Sequence, residues 1–182
     1  VVDNDRFVPH NLNRQALGTM ETLGRHKVEA ARERVAAVNP AVEVVAHAVR
    51  ADAENLPALL EGAEVVVDAL DTPADRLVLQ AVAGRLGIPL VHGAIAGFVG
   101  QVTTVLPGDD TLTMLYGAEA PDHGAEFVLG TPAFTPMAVA ACQVAEVVKL
   151  LLGQGSVLRR QLLYLDLESG IVERFPLRGA EE

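Results

Sequence analysis

Cysteine is almost absent from the sequence: Cys142 is the only one among its 182 residues. One cysteine excludes a disulfide bond within the chain and any zinc site built from several cysteines. Such sparing use of cysteine is typical of proteins from a reducing compartment, and we therefore expect a cytoplasmic location.

Positive charge is also scarce. The chain has 14 Lys and Arg residues against 24 Asp and Glu residues, which gives a formal net charge of −10 at pH 7. Affinity for phosphate backbones comes largely from positive charge, so this balance does not favour a nucleic-acid partner.

Long apolar runs are missing as well. Residues 86–108 carry no formal charge, but their five Gly and two Pro residues are typical of loops and short strands, not of a membrane-spanning helix. We therefore expect no membrane partner. The chain begins Val1-Val2-Asp3 with neither an initiator Met nor the basic start of a signal peptide, so we expect an incomplete N-terminus.

The composition that is present is globular, with 50% hydrophobic and 21% charged residues. At this length we expect one domain over residues 1–182. Apolar runs typical of strands alternate with segments of helical spacing, in the order strand 1–2, helix 25–38, strand 42–48, helix 54–61, strand 65–67, helix 73–86 and a strand from 89. Asn39-Pro40 is predicted to end the first helix, and the helix at 73–86 is predicted to have Thr72 as its N-cap and to end at Gly87.

Beyond Gly93 the pattern changes. Turn residues at 107–110 and 168–170 predict antiparallel hairpins. Between them lies an apolar helix, predicted to be buried, with Thr135 as its predicted N-cap and Pro136 as its predicted first residue. The hairpins are predicted to pair 98–106 with 111–116 and 161–166 with 171–177. The predicted fold is α/β, a Rossmann-like doubly wound mixed sheet with antiparallel C-terminal hairpins.

Acidic residues follow two of the predicted strands: Asp3 and Asp5 the first, Asp68 and Asp71 the third. Ligands of open α/β sheets bind at such strand ends, where one acid can hold ribose and another Mg²⁺. Other polar residues between these acids suit phosphate, namely Asn11, Arg14 and Lys27 at the start of a helix. The set is typical of a nucleotide-triphosphate site without its phosphate loop, although each residue alone is also typical of a turn, a cap or a solvated surface.

Several segments of the chain form an ordered series. They are Val2-Asp3-Asn4-Asp5, Asn11-Leu12-Asn13-Arg14-Gln15, Gly24-Arg25-His26-Lys27-Val28-Glu29-Ala30-Ala31, Asp68-Ala69-Leu70-Asp71-Thr72 with Arg76, Gly100-Gln101-Val102, and Pro136, Gln143, Glu146 and Lys149-Leu150-Leu151. The series runs through nearly the whole chain. It resembles the ThiF/MoeB/HesA branch of the ubiquitin-activating-enzyme superfamily.

The resemblance implies an ATP-dependent adenylyltransferase that activates the C-terminal glycine of a ubiquitin-like sulfur-carrier protein, with Mg²⁺ and as a homodimer. It implies that Asp3 binds ribose, Asn11 and Arg14 contact phosphates, and Lys27 holds the triphosphate. It implies that Asp71 positions the Mg²⁺ of ATP. Arg14, Lys27 and Asp71 are therefore the expected catalytic residues.

The chain departs from the family's pattern in four respects. The glycine-rich phosphate loop would lie upstream of Val1. Thr72, an expected nucleotide-binding residue, stands where the family has Asn. Leu112 and Leu115 stand where many relatives have zinc-binding cysteines, so we expect no zinc and a core role for both leucines. The loop 117–133 has no Cys for a covalent intermediate.

The remaining residues that often carry chemistry are predicted to be structural or surface residues. We expect Cys142 to be a small core residue rather than a nucleophile. His10, His92 and His123 lack partners at the spacing of a metal site or catalytic triad.

Three alternatives to the adenylyltransferase remain open. One is a non-catalytic binding module of the same fold, and another is an enzyme like the tRNA threonylcarbamoyladenosine dehydratase, which the net charge disfavours. The third, a general NAD-binding Rossmann domain, accounts for Asp3 but not for Arg14, Lys27 and Asp71 together.

Overall fold

The structure is a computed structural model that describes residues 1–118 and 126–177. Its helices are α1 (Lys27–Val38), α2 (Leu56–Leu59), α3 (Pro73–Leu86), α4 (Thr111–Tyr116), α5 (Glu126–Leu129) and α6 (Phe134–Leu152). Its strands are β1 (Val66–Val67), β2 (Leu90–Ala96), β3 (Val99–Val105), β4 (Gln161–Asp166) and β5 (Ile171–Pro176). The chain divides into two compact units, Val1–Ala51 and Asp52–Glu182, and one domain over 1–182 stays a prediction.

The first unit contains α1, which confirms the helix predicted at 25–38. Val28 and Ala30 are buried, and the helix ends where Asn39 becomes extended. The strand predicted at 42–48 is wrong. Within this segment only His47 pairs with another strand-like segment, in a single parallel bridge with Val2.

The second unit contains a five-stranded mixed sheet in the order β1-β2-β3-β4-β5. β1 and β2 are parallel, with Val66 opposite Leu90 and Val67 opposite Val91, and the other neighbouring strands are antiparallel. The predicted α/β class, the mixed sheet and the hairpin of β4 with β5 are therefore confirmed.

The hairpin predicted from 98–106 and 111–116 is wrong. The turn at 107–110 exists, but residues 111–116 form α4, and β3 pairs instead with β2. Tertiary contacts fix this helix: Leu112 is fully buried, and its backbone N–H donates to Gln80 Oε1 on α3 at 2.7 Å. Leu115 is half-buried, so the expected core role holds fully for Leu112 only.

Helix α3 follows its sequence signals closely. Thr72 is its N-cap, with Oγ1 accepting from the backbone N–H of Asp75 at 3.2 Å, and Pro73 is its first residue. Gly87 ends it with φ of 73°, in the left-handed region that glycine adopts without a steric penalty. The helix predicted at 54–61 forms over the shorter α2.

Helix α6 lies directly on β2 and β3. A Cβ on Gly93 would stand 2.5 Å from Gln143 Cδ, and one on Gly100 would stand 2.5 Å from Val139 Cγ2. Two strand positions without side chains therefore allow the helix to approach the sheet. The predicted N-cap at Thr135 is wrong, because the helix begins at Phe134 and Thr135 Oγ1 donates to Gly97 O at 2.7 Å instead.

The prediction that α6 is buried is also wrong for part of its surface. One face is buried and carries Thr135, Val139, Gln143 and Glu146. Another face is exposed and apolar, with Met137, Val144, Val148, Leu151 and Leu152 each 46% exposed or more. Among the residues that the structure describes, α6 alone has the length and composition of a membrane span, a property that core helices of soluble proteins share.

Candidate functional site

A cluster of three charges lies at the start of α1 in the first unit. Lys27 Nζ stands 2.7 Å from Asp5 Oδ2 and 3.7 Å from Asp3 Oδ2, and the backbone N–H of Asp5 donates to Asp3 Oδ1 at 2.7 Å. The backbone N–H of Lys27 also donates to Asp5 O at 3.0 Å. The structure thus brings together two predicted site residues, Asp3 and Lys27, and adds Asp5 between them.

Asn11 and Arg14 lie on one tight turn of the same unit. Asn11 ends a 3-10 turn (Pro9–Asn11), is buried, and accepts the backbone N–H of Val8 on Oδ1 at 3.1 Å. Arg14 donates from Nη1 to His10 O at 2.8 Å and to Asn13 Oδ1 at 3.1 Å. Asn11 therefore shapes the turn that carries the Arg14 guanidinium.

In the second unit, Asp71 lies on an exposed loop between β1 and α3. The preceding residue, Leu70, is held at both backbone polar atoms. Its N–H donates to Asp68 Oδ1 at 2.8 Å, and its carbonyl accepts from Arg76 Nε at 3.1 Å and Nη2 at 2.7 Å. Asp68 and Arg76 thus order the loop that bears Asp71.

Sequence reasoning missed the partners of Asp68 and Arg76. His92, in the middle of β2, is fully buried with Nδ1 2.5 Å from Asp68 Oδ2. Tyr116, the last residue of α4, places its Oη 3.0 Å from His92 Nε2 and accepts from Arg76 Nη1 at 2.9 Å. Arg76 Nε lies 3.7 Å from Asp68 Oδ2, which closes a ring of four side chains.

Donor and acceptor counting fixes the protons of this ring. Tyr116 Oη accepts from Arg76 and from Gln101 Nε2, the latter at 3.1 Å, so its own O–H donates to His92 Nε2. His92 then carries its proton on Nδ1 and donates to Asp68. Burial raises the pKa of the Tyr116 phenol, against the lowering effect of Arg76, so the phenol keeps this proton at neutral pH.

Glu146 on α6, another buried acid of this unit, has a structural role. Its Oε2 accepts from Thr104 Oγ1 at 2.6 Å and from the backbone N–H of Leu158 at 2.7 Å, and Lys149 pairs with Oε1. These contacts fasten α6 to β3 and to the segment before β4.

Within residues 1–118 and 126–177, the other residues considered from the sequence are not grouped into a second site. Cys142 packs against the core cluster of Val91, Val102, Val139, Leu158 and Leu165. Burial raises the pKa of its thiol, so the thiol is not activated. His123 lies outside the described residues, and within those residues no three His, Cys, Asp or Glu side chains are grouped as metal ligands.

A single exposed carboxylate such as Asp71 does not form a metal cage. It suits Mg²⁺ that arrives bound to a triphosphate, because Mg²⁺ is commonly held by one or two carboxylates together with substrate phosphates. A shallow depression between α2 and the end of α3 is lined by Pro57, Leu60, Glu61, Gly62, Ala63, Leu86 and Ile88. None of the predicted site residues is among them.

Comparison with known proteins supplies a wider context. The model of the ThiF family matches residues 1–182. The chain is 37% identical over 181 residues to the SAMP-activating enzyme E1 of Haloferax volcanii, covering 98% of this chain and 67% of that protein. It is 36% identical over 174 residues to the sulfur carrier protein adenylyltransferase of Thermus thermophilus, covering 91% and 64%.

Among solved structures, the fold is similar to that of E. coli MccB in complex with MccA-N7isoASN. The TM-score is 0.79 at 20% identity, with 97% of this chain and 56% of that chain covered. The chain therefore spans between about half and two thirds of the length of these proteins.

Proposed function

The chain belongs to the ThiF family, as its motifs predicted, and we propose that it is the adenylating part of an enzyme that activates a ubiquitin-like sulfur-carrier protein with ATP. The names of the relatives support this proposal, since one is a sulfur carrier protein adenylyltransferase and another a SAMP-activating E1. In this chain the proposal rests on the hydrogen bonds that Asp68 and Arg76 make to the backbone of Leu70. These bonds order the loop that exposes the Asp71 carboxylate.

In the proposed reaction, the carboxylate of the carrier's C-terminal glycine attacks the α-phosphorus of ATP. The bond to the bridging oxygen breaks, pyrophosphate leaves, and the carrier is released as an acyl-adenylate. Such a transfer needs in-line positioning and neutralisation of phosphate charge, and little other chemistry from the protein.

The proposed roles follow from the character of each side chain. Asp3 accepts hydrogen bonds from ribose hydroxyls, Arg14 and Lys27 supply positive charge to the phosphates, and Asn11 holds the turn that carries Arg14 and contacts phosphate. Asp71 positions the Mg²⁺ of ATP. Thr72, which caps α3, belongs to the proposed nucleotide-binding set as the neighbour of Asp71.

We further propose that the protein is a homodimer, contains no structural zinc and works in the cytoplasm. The exposed apolar face of α6, with Met137, Val144 and Val148, supports a second copy as its partner. Leucines at 112 and 115 support the absence of zinc, because Leu offers no ligand atom. The single cysteine supports the location.

The test is carrier-dependent exchange of labelled pyrophosphate into ATP, measured with the full-length protein and a panel of ubiquitin-like carriers. The expected result is exchange that requires both Mg²⁺ and a carrier with a C-terminal glycine. Absence of ATP binding and of exchange with every carrier would favour the non-catalytic module instead. Consumption of ATP that requires a tRNA and no carrier protein would favour the enzyme like the tRNA threonylcarbamoyladenosine dehydratase.

A further inference from the structure

The backbone beside Asp71 is held by buried side chains whose own positions are fixed by more distant residues. Asp68 is fully buried and Arg76 is 5% exposed, and together they occupy the N–H and the carbonyl of Leu70. Each of these two side chains also makes a hydrogen bond to another residue of the second unit.

Those further partners are His92 and Tyr116. His92 Nδ1 binds Asp68 Oδ2, Arg76 Nη1 binds Tyr116 Oη, and Tyr116 Oη and His92 Nε2 are 3.0 Å apart. The rings of His92 and Tyr116 meet edge to face with centroids 5.7 Å apart, and the Arg76 guanidinium lies 5.6 Å from the centroid of the Tyr116 ring.

In this ring, the phenol oxygen of Tyr116 is the atom that connects Arg76 to His92. That oxygen accepts from Arg76 and from Gln101 and gives its one proton to His92, so it makes three hydrogen bonds to three other side chains. Removing it leaves a buried Arg76 donor and a buried His92 acceptor unpaired, which is costly in a low-dielectric interior. Arg76 and Asp68 are then expected to shift toward new partners, and Leu70 with them.

We propose that Tyr116 and His92 are positioning residues for Asp71, acting through Arg76 and Asp68 on the two polar atoms of Leu70. What Asp71 does in turn rests on the proposed function, whereas the placement of its loop does not. Under the proposed function, α4 thereby contributes to the Mg²⁺–ATP step through the position of Asp71.

The kinetic test compares Tyr116→Phe with wild type in carrier-dependent ATP–pyrophosphate exchange. Loss of a supporting partner of a metal-positioning group commonly costs about 10–100-fold, so kcat should fall by about tenfold or more, with a higher Mg²⁺ requirement. In an Asp71→Asn background the same substitution should cost less than about twofold, because its effect passes through Asp71. Equal costs in both backgrounds would overturn the proposal.

Tyr164→Phe is the matched control, since Tyr164 is the other tyrosine of the chain and packs on Phe175 in the β4–β5 hairpin. It should leave kcat and the Mg²⁺ requirement unchanged. If Tyr116→Phe does not fold, His92→Asn replaces it. Its amide retains a donor in place of Nδ1 for Asp68 but has no acceptor in place of Nε2 for Tyr116.

A second measurement needs no activity. Hydrogen exchange of the backbone amides in residues 68–72 should be at least about tenfold faster in Tyr116→Phe than in wild type or Tyr164→Phe, because local opening governs this exchange. Unchanged exchange in a folded variant would overturn the proposal. Faster exchange at 68–72, in a protein that adenylates no carrier, would uphold the positioning network and reject the proposed function.

Discussion

The side-chain amide of Gln143 on α6 donates a hydrogen bond to the backbone oxygen of Asp68, 2.8 Å away in the segment after β1. The same nitrogen lies 3.3 Å from the backbone oxygen of Val91 on β2. A buried helix side chain therefore joins the segment after β1 to strand β2, and it lies against Gly93, where a Cβ would stand 2.5 Å from Gln143 Cδ. The order of the Asp68 loop thus depends on a strand position without a side chain.

Gly93→Ala is expected to lower the free energy of unfolding by about 1–3 kcal/mol, because the added methyl group overlaps Gln143 and Val139. Urea denaturation at neutral pH measures the change. Gly84→Ala is the control: Gly84 lies inside α3 with nothing within 4 Å of an added Cβ, so this variant should be more stable by about 0.5–1 kcal/mol. Equal effects of the two substitutions would show that α6 does not pack closely at Gly93.

Asp71→Asn and Arg14→Ala should separate chemistry from binding. If Asp71 acts through Mg²⁺, Asp71→Asn reduces pyrophosphate exchange sharply and leaves most nucleotide binding intact. Arg14 is proposed to contact phosphate directly, so Arg14→Ala should weaken ATP binding and also slow exchange, by about 10²–10³-fold for a donor aimed at developing charge. Equilibrium dialysis of ATP and exchange kinetics provide the two readouts, and an unchanged rate in Asp71→Asn would remove the metal role.

We expect Asp109 to make the free energy of unfolding depend on pH in the acidic range. Arg159 binds its carboxylate through two nitrogens, at 2.8 and 2.9 Å, and these hydrogen bonds hold the pKa of Asp109 below its ordinary value of 3.8, although burial raises it. Because the folded pKa is the lower one, the stabilisation is complete above about pH 4 and is lost as pH falls through the folded value.

Asp109→Asn should therefore lower the free energy of unfolding at pH 7 by about 1–3 kcal/mol, and this deficit should shrink below about pH 4. Urea titrations from pH 2.5 to 7 measure it. The neighbouring Asp110 is exposed, and Asp110→Asn should change stability by less than about 0.5 kcal/mol throughout. A deficit for Asp109→Asn that is the same at pH 3 and pH 7 would contradict the prediction.

The apolar face of α6 should be the dimer contact of the full-length protein. Val144→Glu places a charge at a position that is 61% exposed in the single chain, and it should convert a dimer into a monomer because burying an unpaired charge is costly. Sedimentation velocity at micromolar concentration measures the state. Val42→Glu, at an exposed valine of the first unit, should remain dimeric. A monomeric wild type would reject the homodimer.

Elemental analysis of the purified protein should find no stoichiometric zinc. Leu112 is fully buried in α4, and a chain with one cysteine has too few thiolates for the common structural sites. Unfolding curves should also be the same with and without a chelator. About one zinc per chain would overturn this prediction.

The sequence predicted those helix ends and turns that depend on residues close to one another in the chain. The cap at Thr72, the ends at Asn39 and Gly87 and the turn of the β4–β5 hairpin all depend on residues within a few positions of one another. Helix α4 could not be predicted in the same way, since the burial of Leu112 and its bond to Gln80 join residues 32 positions apart.

The ring around Tyr116 also escaped sequence reasoning, although one signal for part of it existed. Parallel register places Val67 beside Val91, so the residues that follow, Asp68 and His92, are neighbours as well. An acid and a histidine next to each other at buried strand positions indicate a hydrogen-bonded pair. Tyr116 offers no such signal, because its position depends on α4, a segment for which the sequence predicts a strand.

The contacts of Lys27 with Asp3 and Asp5 have a consequence for the conformational entropy of its side chain. Its ammonium is already held between Asp3 and Asp5, and its side chain is only 17% exposed. A free lysine loses up to about 2 kcal/mol of rotamer freedom when it is fixed, and here most of that loss has occurred during folding. Under the proposed function, the phosphate that Lys27 contacts therefore meets a side chain that is already ordered, and its binding exchanges one negatively charged neighbour of Lys27 for another.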